Sequence, residues 1–339
     1  MTSKKLAMLA GVSQSTVSRV INGCPGVSEK KRRRVLELVE QYHFELDDNA
    51  RSLRTRMLSR VGVVLDRDFV GFDINLFWAT IYSRLHIAFQ EEGYTVFPVY
   101  GLKCEERVIL NRLIGQKQTD KIIIVSINDL YPWEALEPLL AKKIPFVCIS
   151  CRSADDCYYP DREVNMVAID FYEAGRKAGE FLYERGHRKI ALHIDENNIS
   201  SSGRCIGFCE VLEGKEESCQ VRRINGRTAS PAISFQGGFE TAEANLELLR
   251  GVTAVFAVND ASALGMISAF QKHGLRVPED ISVMGLNNIP MCTWWDPQLT
   301  TVAFDIDKIA RHACGILLGG EQKVNTVITP ELIIRDSVK

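Results

Sequence analysis

The stretch S-K-K-L-A-M-L-A-G-V-S-Q-S-T-V-S-R-V-I-N, residues 3 to 22, decides how the chain is organised. Leu6 and Leu9 share one face of a first helix, Ala7 is small where a second helix must approach, and Gly11 suits the left-handed conformation of a tight turn. Val12 fills the inside of that turn. Ser13 is placed to cap a second helix in which Val17, Val20 and Ile21 face inward at spacings of three and four. Gln14, Ser15, Ser18, Arg19 and Asn22 are left on the outside. After the turn-rich G-C-P-G of residues 23 to 26, Ser28 can cap a third helix whose inner stripe is Val35, Leu38, Val39 and Tyr42. Three short helices with one outward polar face make a helix-turn-helix module. A generic helical bundle with a solvated polar face would also bury these apolar residues. It would not need the small residue, the glycine and the apolar positions in this mutual spacing.

Charge points the same way. The chain of 339 residues carries a net charge of -2, but the distribution is uneven. Twelve of the 41 lysines and arginines, and only six of the 43 acids, fall in residues 1 to 60, so this head carries +6 and the remainder -8. A basic head on an acidic body suits a polyanion-binding module joined to a part with another task. In DNA, the first turn of the second helix would enter the major groove, where Gln14 and Arg19 can pair bidentately with base edges and Ser15 stands beside them. Ser13, Thr16, Ser18 and Asn22 are short donors better suited to phosphates, which set register without reading sequence. The run Lys30 to Arg34 reads first as the solvated face of the third helix, with non-specific, salt-sensitive affinity as a further use.

At 46% hydrophobic and 25% charged residues, disorder and collagen are excluded, and the length suits two or three domains. No charged n-region leads into an apolar h-region, and no run approaches the roughly eighteen apolar residues of a membrane span, so a cytoplasmic protein is expected. The ten cysteines are scattered, without a disulfide framework or paired zinc clusters. Cys148 and Cys151 form a C-x-x-C inside the apolar run Ile144 to Ile149, a strand and its exit. A redox pair wants its first thiol at a helix N-terminus, so these two read as structural.

From Val61 onward, apolar runs of about five residues alternate with amphipathic stretches of ten or more, the pattern of parallel sheets covered by helices. Strands are expected at 61–65, 95–99, 122–125, 146–149, 166–169, 189–194, 221–224, 254–258 and 282–286. Helices are expected near 77–92, 104–114, 133–142, 172–185, 204–213, 239–250 and 261–273. Nine strands exceed what one compact doubly wound sheet usually holds, so two stacked α/β lobes are expected. No G-x-G-x-x-G follows the first strand, and G-x-x-x-x-G-K, H-E-x-x-H and G-x-S-x-G are absent, which leaves an enzyme without a nucleophile, base, metal or cofactor to name.

The segments A-G-V-S-Q-S-T-V-S-R-V-I-N-G (10 to 23), V-S-E (27 to 29) and A-R-S-L-R-T (50 to 55) resemble the head and hinge of the LacI/GalR family of bacterial transcription regulators. In the body, Y-E-A-G-R (172 to 176), E-R-G-H-R-K-I-A (184 to 191), R-C-I-G-F (204 to 208), T-A-V-F-A-V-N-D-A-S-A-L-G (253 to 265), G-L-R-V-P-E-D-I-S-V-M-G (274 to 285) and P-Q-L-T-T-V (297 to 302) are similar to the family's regulatory domain in order and spacing. The resemblance implies a helix-turn-helix domain over 1–46, a hinge helix and linker over 47–59, and an effector-binding and dimerisation domain over 60–339. The fold implied for that last part is that of periplasmic sugar receptors: an N-lobe of about 60–163 plus 289–322, a C-lobe of about 164–288 plus 323–339, and three crossings between them. It also implies a homodimer on a palindromic operator, a tetramer being allowed. Leu53 would wedge into the minor groove, with Ala50 on the groove-facing side. Leu46-Asp47-Asp48 departs from the Pro-Asn usual at the start of the hinge.

The resemblance places Phe77, Trp78, Ser150, Arg152, Arg204, Phe235, Asn259 and Asn287 at the cleft between the lobes. Each aromatic could equally be core packing. Three positions depart from the family: Ser150 and Asn287 stand where aspartates are common, and Phe171 where an asparagine follows Asp170. Carboxylates suit sugar hydroxyls and repel anions, so a pocket lacking them and keeping Arg204 and Arg152 is expected to take an anionic effector such as a sugar acid or sugar phosphate. Trp294 and Trp295 are expected to pack at a lobe crossing. The reading is a DNA-binding regulator, a repressor, with a sugar-like effector and no cofactor. A solute receptor or an enzyme on the same scaffold is the alternative. The receptor has no use for residues 1 to 58, and the enzyme would show turnover.

Overall fold

The computed structural model describes residues 3–21, 26–42, 59–66, 76–101, 106–116, 118–126, 133–151, 164–194, 199–215, 219–225, 230–319 and 325–339. The chain divides into two compact units, Met1–Leu58 and Ser59–Lys339.

In the first unit, helices α1 (Ser3–Ala10), α2 (Gln14–Ile21) and α3 (Glu29–Gln41) close around Leu6, Ala7, Val17, Val20, Val35 and Leu38. Gly11 takes φ 65°, the left-handed turn its lack of Cβ permits. The Ser13 hydroxyl accepts the Thr16 backbone N–H at 3.2 Å, the expected cap, whereas Ser28 occupies the N-cap position of α3 without a side-chain bond. Leu9 is exposed at 43%, because Ala7 rather than Leu9 joins Leu6 against α2 and α3; Tyr42, the C-cap of α3, is also exposed.

Among the described residues, the second unit holds two six-stranded sheets, and most of its elements lie within a residue or two of the expected spans. The first contains β1 (Arg60–Asp66), β2 (Thr95–Gly101), β3 (Lys121–Ser126), β4 (Phe146–Ser150), β5 (Met166–Ile169) and β11 (Asn325–Ile328), in the order β11-β5-β4-β3-β1-β2, all neighbours parallel. Helices α4 (Leu76–Glu91), α5 (Glu106–Gly115) and α6 (Trp133–Ala141) connect its strands. The second contains β6 (Lys189–Ile194), β7 (Gln220–Asn225), β8 (Ala254–Phe256), β9 (Ser282–Leu286), β10 (Thr300–Ala303) and β12 (Glu331–Ile333), in the order β12-β10-β9-β8-β6-β7, with only the β10–β12 pair antiparallel. Helices α7 (Phe171–Glu184), α8 (Ile199–Glu213), α9 (Phe235–Ala244) and α10 (Asp260–Lys272) belong here, and α11 (Ile306–Gly319) packs on α4, β4 and β5 of the first lobe.

Strand pairing moves the expected lobe boundaries. Strands β5 and β11 hydrogen-bond into the first sheet and β10 into the second, so the chain changes lobe between Ile169 and Phe171, between Ala303 and Ile306, and between Ile328 and Glu331. Helix α9 starts at Phe235 rather than near 239, because the Ser234 hydroxyl accepts the Gly237 N–H at 2.9 Å. A continuous apolar core reaches from Val61 and Ile123 through Phe171 to Phe208 and Phe256, tying the lobes together. Cys148 and Cys151 are both buried, as structural residues would be.

Helices α7 and α8 touch backbone to backbone. A Cβ on Gly175 would lie 1.9 Å from the Arg204 carbonyl oxygen, and one on Gly207 would lie 2.2 Å from that of Tyr172. This approach fixes the backbone of Arg204 against α7.

Candidate functional site

In the head, the buried pair Val17 and Val20 anchors α2 to its neighbours and leaves Gln14, Ser15 and Arg19 exposed. Thr16 and Ser18 are half-buried at its margin. The Ser13 hydroxyl lies 2.7 Å from that of Ser15 and 2.8 Å from that of Thr16, so capping already engages it. Lys30, Lys31, Arg33 and Arg34 are exposed on α3, and Arg34 pairs with Glu37 across one turn at 3.6 Å. Asn22, Ala50 and Leu53 lie outside the described residues.

In the body, Ser150, Asn259 and Asn287 of the expected residues end or closely follow parallel strands, at the edge where open α/β sheets bind ligands, whereas Arg204 lies within α8. Phe77 and Trp78 open α4, Ser150 ends β4, Phe235 opens α9, Asn259 caps α10, and Asn287 follows β9. Arg152 lies outside the described residues. Phe77 contacts Trp78 (ring centroids 5.2 Å apart), Phe171 (6.2 Å) and Phe304 (6.0 Å), and Phe171 meets Phe304 at 4.9 Å. These rings come from α4, the first residue of α7 and the exit of β10, so two of the lobe crossings are packed by aromatic contact. The Arg204 guanidinium lies 4.4 Å above the Phe171 ring and donates to the Val258 carbonyl. It is buried beside Cys151, whose thiol burial pushes up to about 12 against the pull of that positive charge. Phe77 and Arg204 thus converge through Phe171, while Phe235 stands apart and packs on Trp295 at 5.5 Å. Trp294 does not pack at a crossing: it is 72% exposed, on a 3-10 turn that turns Trp295 inward instead.

The asparagines are more tightly held. The Asn259 side chain accepts the Ser262 N–H at 2.9 Å and donates to the Ile233 carbonyl at 2.7 Å. Asn287 adopts φ 112°, donates its backbone N–H to Val302 at 2.7 Å, and keeps a buried side-chain oxygen with no hydrogen-bond partner. Such an acceptor is costly unless a ligand or water completes it. Asp260, fully buried next to Asn259, receives the Thr301 hydroxyl and the Ile289 N–H, and burial pushes its carboxyl up to about 6. Sequence reading missed Phe304, Trp295 as the partner of Phe235, and Asp260. Only Asp260 carried a usable signal, as the acid of the N-D pair at 259 and 260. Among the described residues, no group of three His, Cys, Asp or Glu side chains could hold a metal, and no helix is long and apolar enough to cross a membrane.

Residues 2–45 match the model of the bacterial regulatory proteins of the lacI family, and residues 179–338 match the periplasmic binding protein-like domain. The HTH-type transcriptional repressor PurR of Vibrio atlanticus (strain LGP32) is 30% identical over 356 residues, covering 100% of this chain and 98% of that protein. The probable HTH-type transcriptional repressor ExuR of Bacillus subtilis (strain 168) is 28% identical over 344 residues, with the same coverage. Among solved structures, the lac repressor dimer bound to operator and the anti-inducer ONPF superposes with a TM-score of 0.77 at 23% identity, over 99% of this chain and 98% of that one. A LacI family transcriptional regulator from Enterococcus faecalis V583 with bound ribose gives 0.63 at 25% identity, over 82% of this chain and 98% of that one. The relatives are transcriptional repressors rather than enzymes, and the chain belongs to the LacI/GalR family of DNA-binding, ligand-regulated transcriptional repressors.

Proposed function

We propose that the protein represses transcription in the cytoplasm as a homodimer on a palindromic operator, and that an anionic sugar derivative in the interlobe cleft sets its affinity. The observation that carries the DNA half is the exposed face of α2, with Gln14, Ser15 and Arg19 projecting from a helix whose other side is buried. These three side chains read base edges; Ser13, Thr16, Ser18 and Asn22 meet phosphates. In the hinge, Ala50 and Leu53 enter the minor groove and bend the site. Arg19→Ala should weaken a selected operator by about 1 to 3 kcal/mol while changing random-sequence affinity much less, read by fluorescence anisotropy. Equal losses on both DNAs count against base readout.

The effector half is supported by the mix of groups at the cleft. Arg204 offers a buried guanidinium suited to a carboxylate or phosphate, Asn287 an unfilled acceptor suited to a hydroxyl, and Phe77 and Phe171 apolar surface. Ser150, Arg152, Asn259, Trp78 and Phe235 complete the wall. A sugar acid supplies both complementary functions. A thermal-shift screen of sugar acids, sugar phosphates, ribose and cellobiose tests this, with acids expected to bind and Arg204→Ala to weaken them by about tenfold to a hundredfold. Binding of neutral sugars alone, indifferent to Arg204→Ala, contradicts it.

A further inference from the structure

The turn leaving β9 carries two consecutive non-glycine residues in the left-handed region, Asn287 at φ 112° and Asn288 at φ 53°. A side chain disfavours that conformation, so the surroundings must impose it. Three bonds converge on the turn. The Asn287 N–H donates to Val302 at 2.7 Å, the Arg335 guanidinium donates to the Asn288 side-chain oxygen at 2.7 Å, and the Ile289 N–H donates to the Asp260 carboxylate at 2.9 Å. The other carboxylate oxygen of Asp260 accepts the Thr301 hydroxyl at 2.5 Å. That oxygen fills the space a side chain on residue 285 would need, since a Cβ on Gly285 would lie 2.2 Å from it.

We propose that Asp260 is a positioning residue of the effector site, its carboxylate locking the 287–289 turn so that Asn287 faces the ligand while Asn259 is held alongside. The inference rests on the reading of Asn259 and Asn287 as effector contacts. Asp260 touches no effector; it acts through its neighbours. It begins α10 directly after the capping Asn259, and its partners lie 29 and 41 residues further along the chain, so one buried group ties together the start of α10, the exit of β9 and the crossing strand β10. A buried carboxylate is expensive to keep, and here each oxygen has a donor, which is the condition under which it is retained.

Amide hydrogen exchange on the full-length, ligand-free protein tests the proposal, alongside calorimetry with D-galacturonate. Asp260→Ala should speed exchange at residues 286–289 by about tenfold or more, with the helices of the head and the first sheet unchanged. Asp260→Asn should restore protection to within about twofold, because its amide oxygen still accepts from Ile289 and its NH2 can donate to Thr301. If galacturonate binds, its affinity should fall in the alanine variant and recover in the asparagine variant. Unchanged exchange at 286–289 in Asp260→Ala overturns the proposal, as does loss of protection spread evenly through the second lobe. If the alanine variant does not fold, Thr301→Val and the wild type decide. The Ile289 amide should exchange slowly in the wild type and measurably faster in Thr301→Val, and an unprotected Ile289 amide in the wild type overturns the idea. Galacturonate failing to bind the wild type counts against the effector reading, and the exchange result stands without it.

Discussion

His193 shows what one side chain can contribute out of sight of any ligand. It is wholly buried in β6, neither ring nitrogen has a hydrogen-bond partner, and burial holds its pKa down at about 3 against an ordinary 6.5. Between those values the unfolded chain binds a proton that the folded chain does not, so this contribution to stability is complete above pH 6.5 and is lost as pH falls. Asp260 has the opposite sign. Raised from 3.8 to about 6, it keeps a proton in the folded state between those two values where the unfolded chain has lost it, so its contribution declines as pH rises from about 4 to 6. The two partly offset each other between about pH 4 and 6, so the histidine must be read as a difference. Urea denaturation of wild type and His193→Leu should show the variant gaining about 1 kcal/mol relative to wild type between pH 6 and 5. A pH-independent difference contradicts the assignment. Neither effect was legible in the sequence, since what surrounds His193 in space is contributed by strands far away in the chain. The outward face of α2 was legible, because helix periodicity alone sorts Gln14 and Arg19 from Val17 and Val20.

At the scale of elements, periodicity found the long helices and most buried strands, including the short β5 and β8 with their unbroken apolar runs, but missed strands whose residues are mixed with threonines, asparagine or glutamate. Strands β10, β11 and β12 have four, four and three residues and are held by pairing rather than by pattern. Helix α11 is a different case: Ile309, Ala310, Ala313, Cys314 and Leu317 fall on one buried face at helical spacing, so its signal was present and the expectations above omit it. Glycine contacts between helices are also invisible from sequence, although they decide the packing. The 1.9 Å that a Gly175 Cβ would leave to the Arg204 backbone cannot be relieved by a rotamer change. Gly175→Ala should therefore push α7 and α8 apart at a cost of about 3 kcal/mol, read as a lower denaturation midpoint of the body. It should also weaken effector binding, since Arg204 moves with its helix. A variant as stable as wild type would show that the two helices slide past each other freely.

For the whole molecule, the split of charge at residue 60 and the alternation of apolar runs with amphipathic stretches were enough to separate a basic head from a two-lobed body. The lobe boundaries were not readable in this way, because β5, β10 and β11 are assigned by which sheet completes their hydrogen bonds. The same limit applies to the cleft. Single residues could be placed at strand ends, but the aromatic contacts among Phe77, Phe171 and Phe304 join segments that no spacing rule connects. Those contacts lie where the chain passes between lobes, and under the proposed function they are where a ligand that changes the angle between the lobes would act. The most direct test is operator affinity of the full-length protein with and without a saturating sugar acid found by the screen, measured by anisotropy at fixed salt. The account predicts a change of about 5-fold to 150-fold, the range of a coupling of about 1 to 3 kcal/mol, and its disappearance in Arg204→Ala. An effector that saturates the cleft while operator affinity stays the same would contradict it.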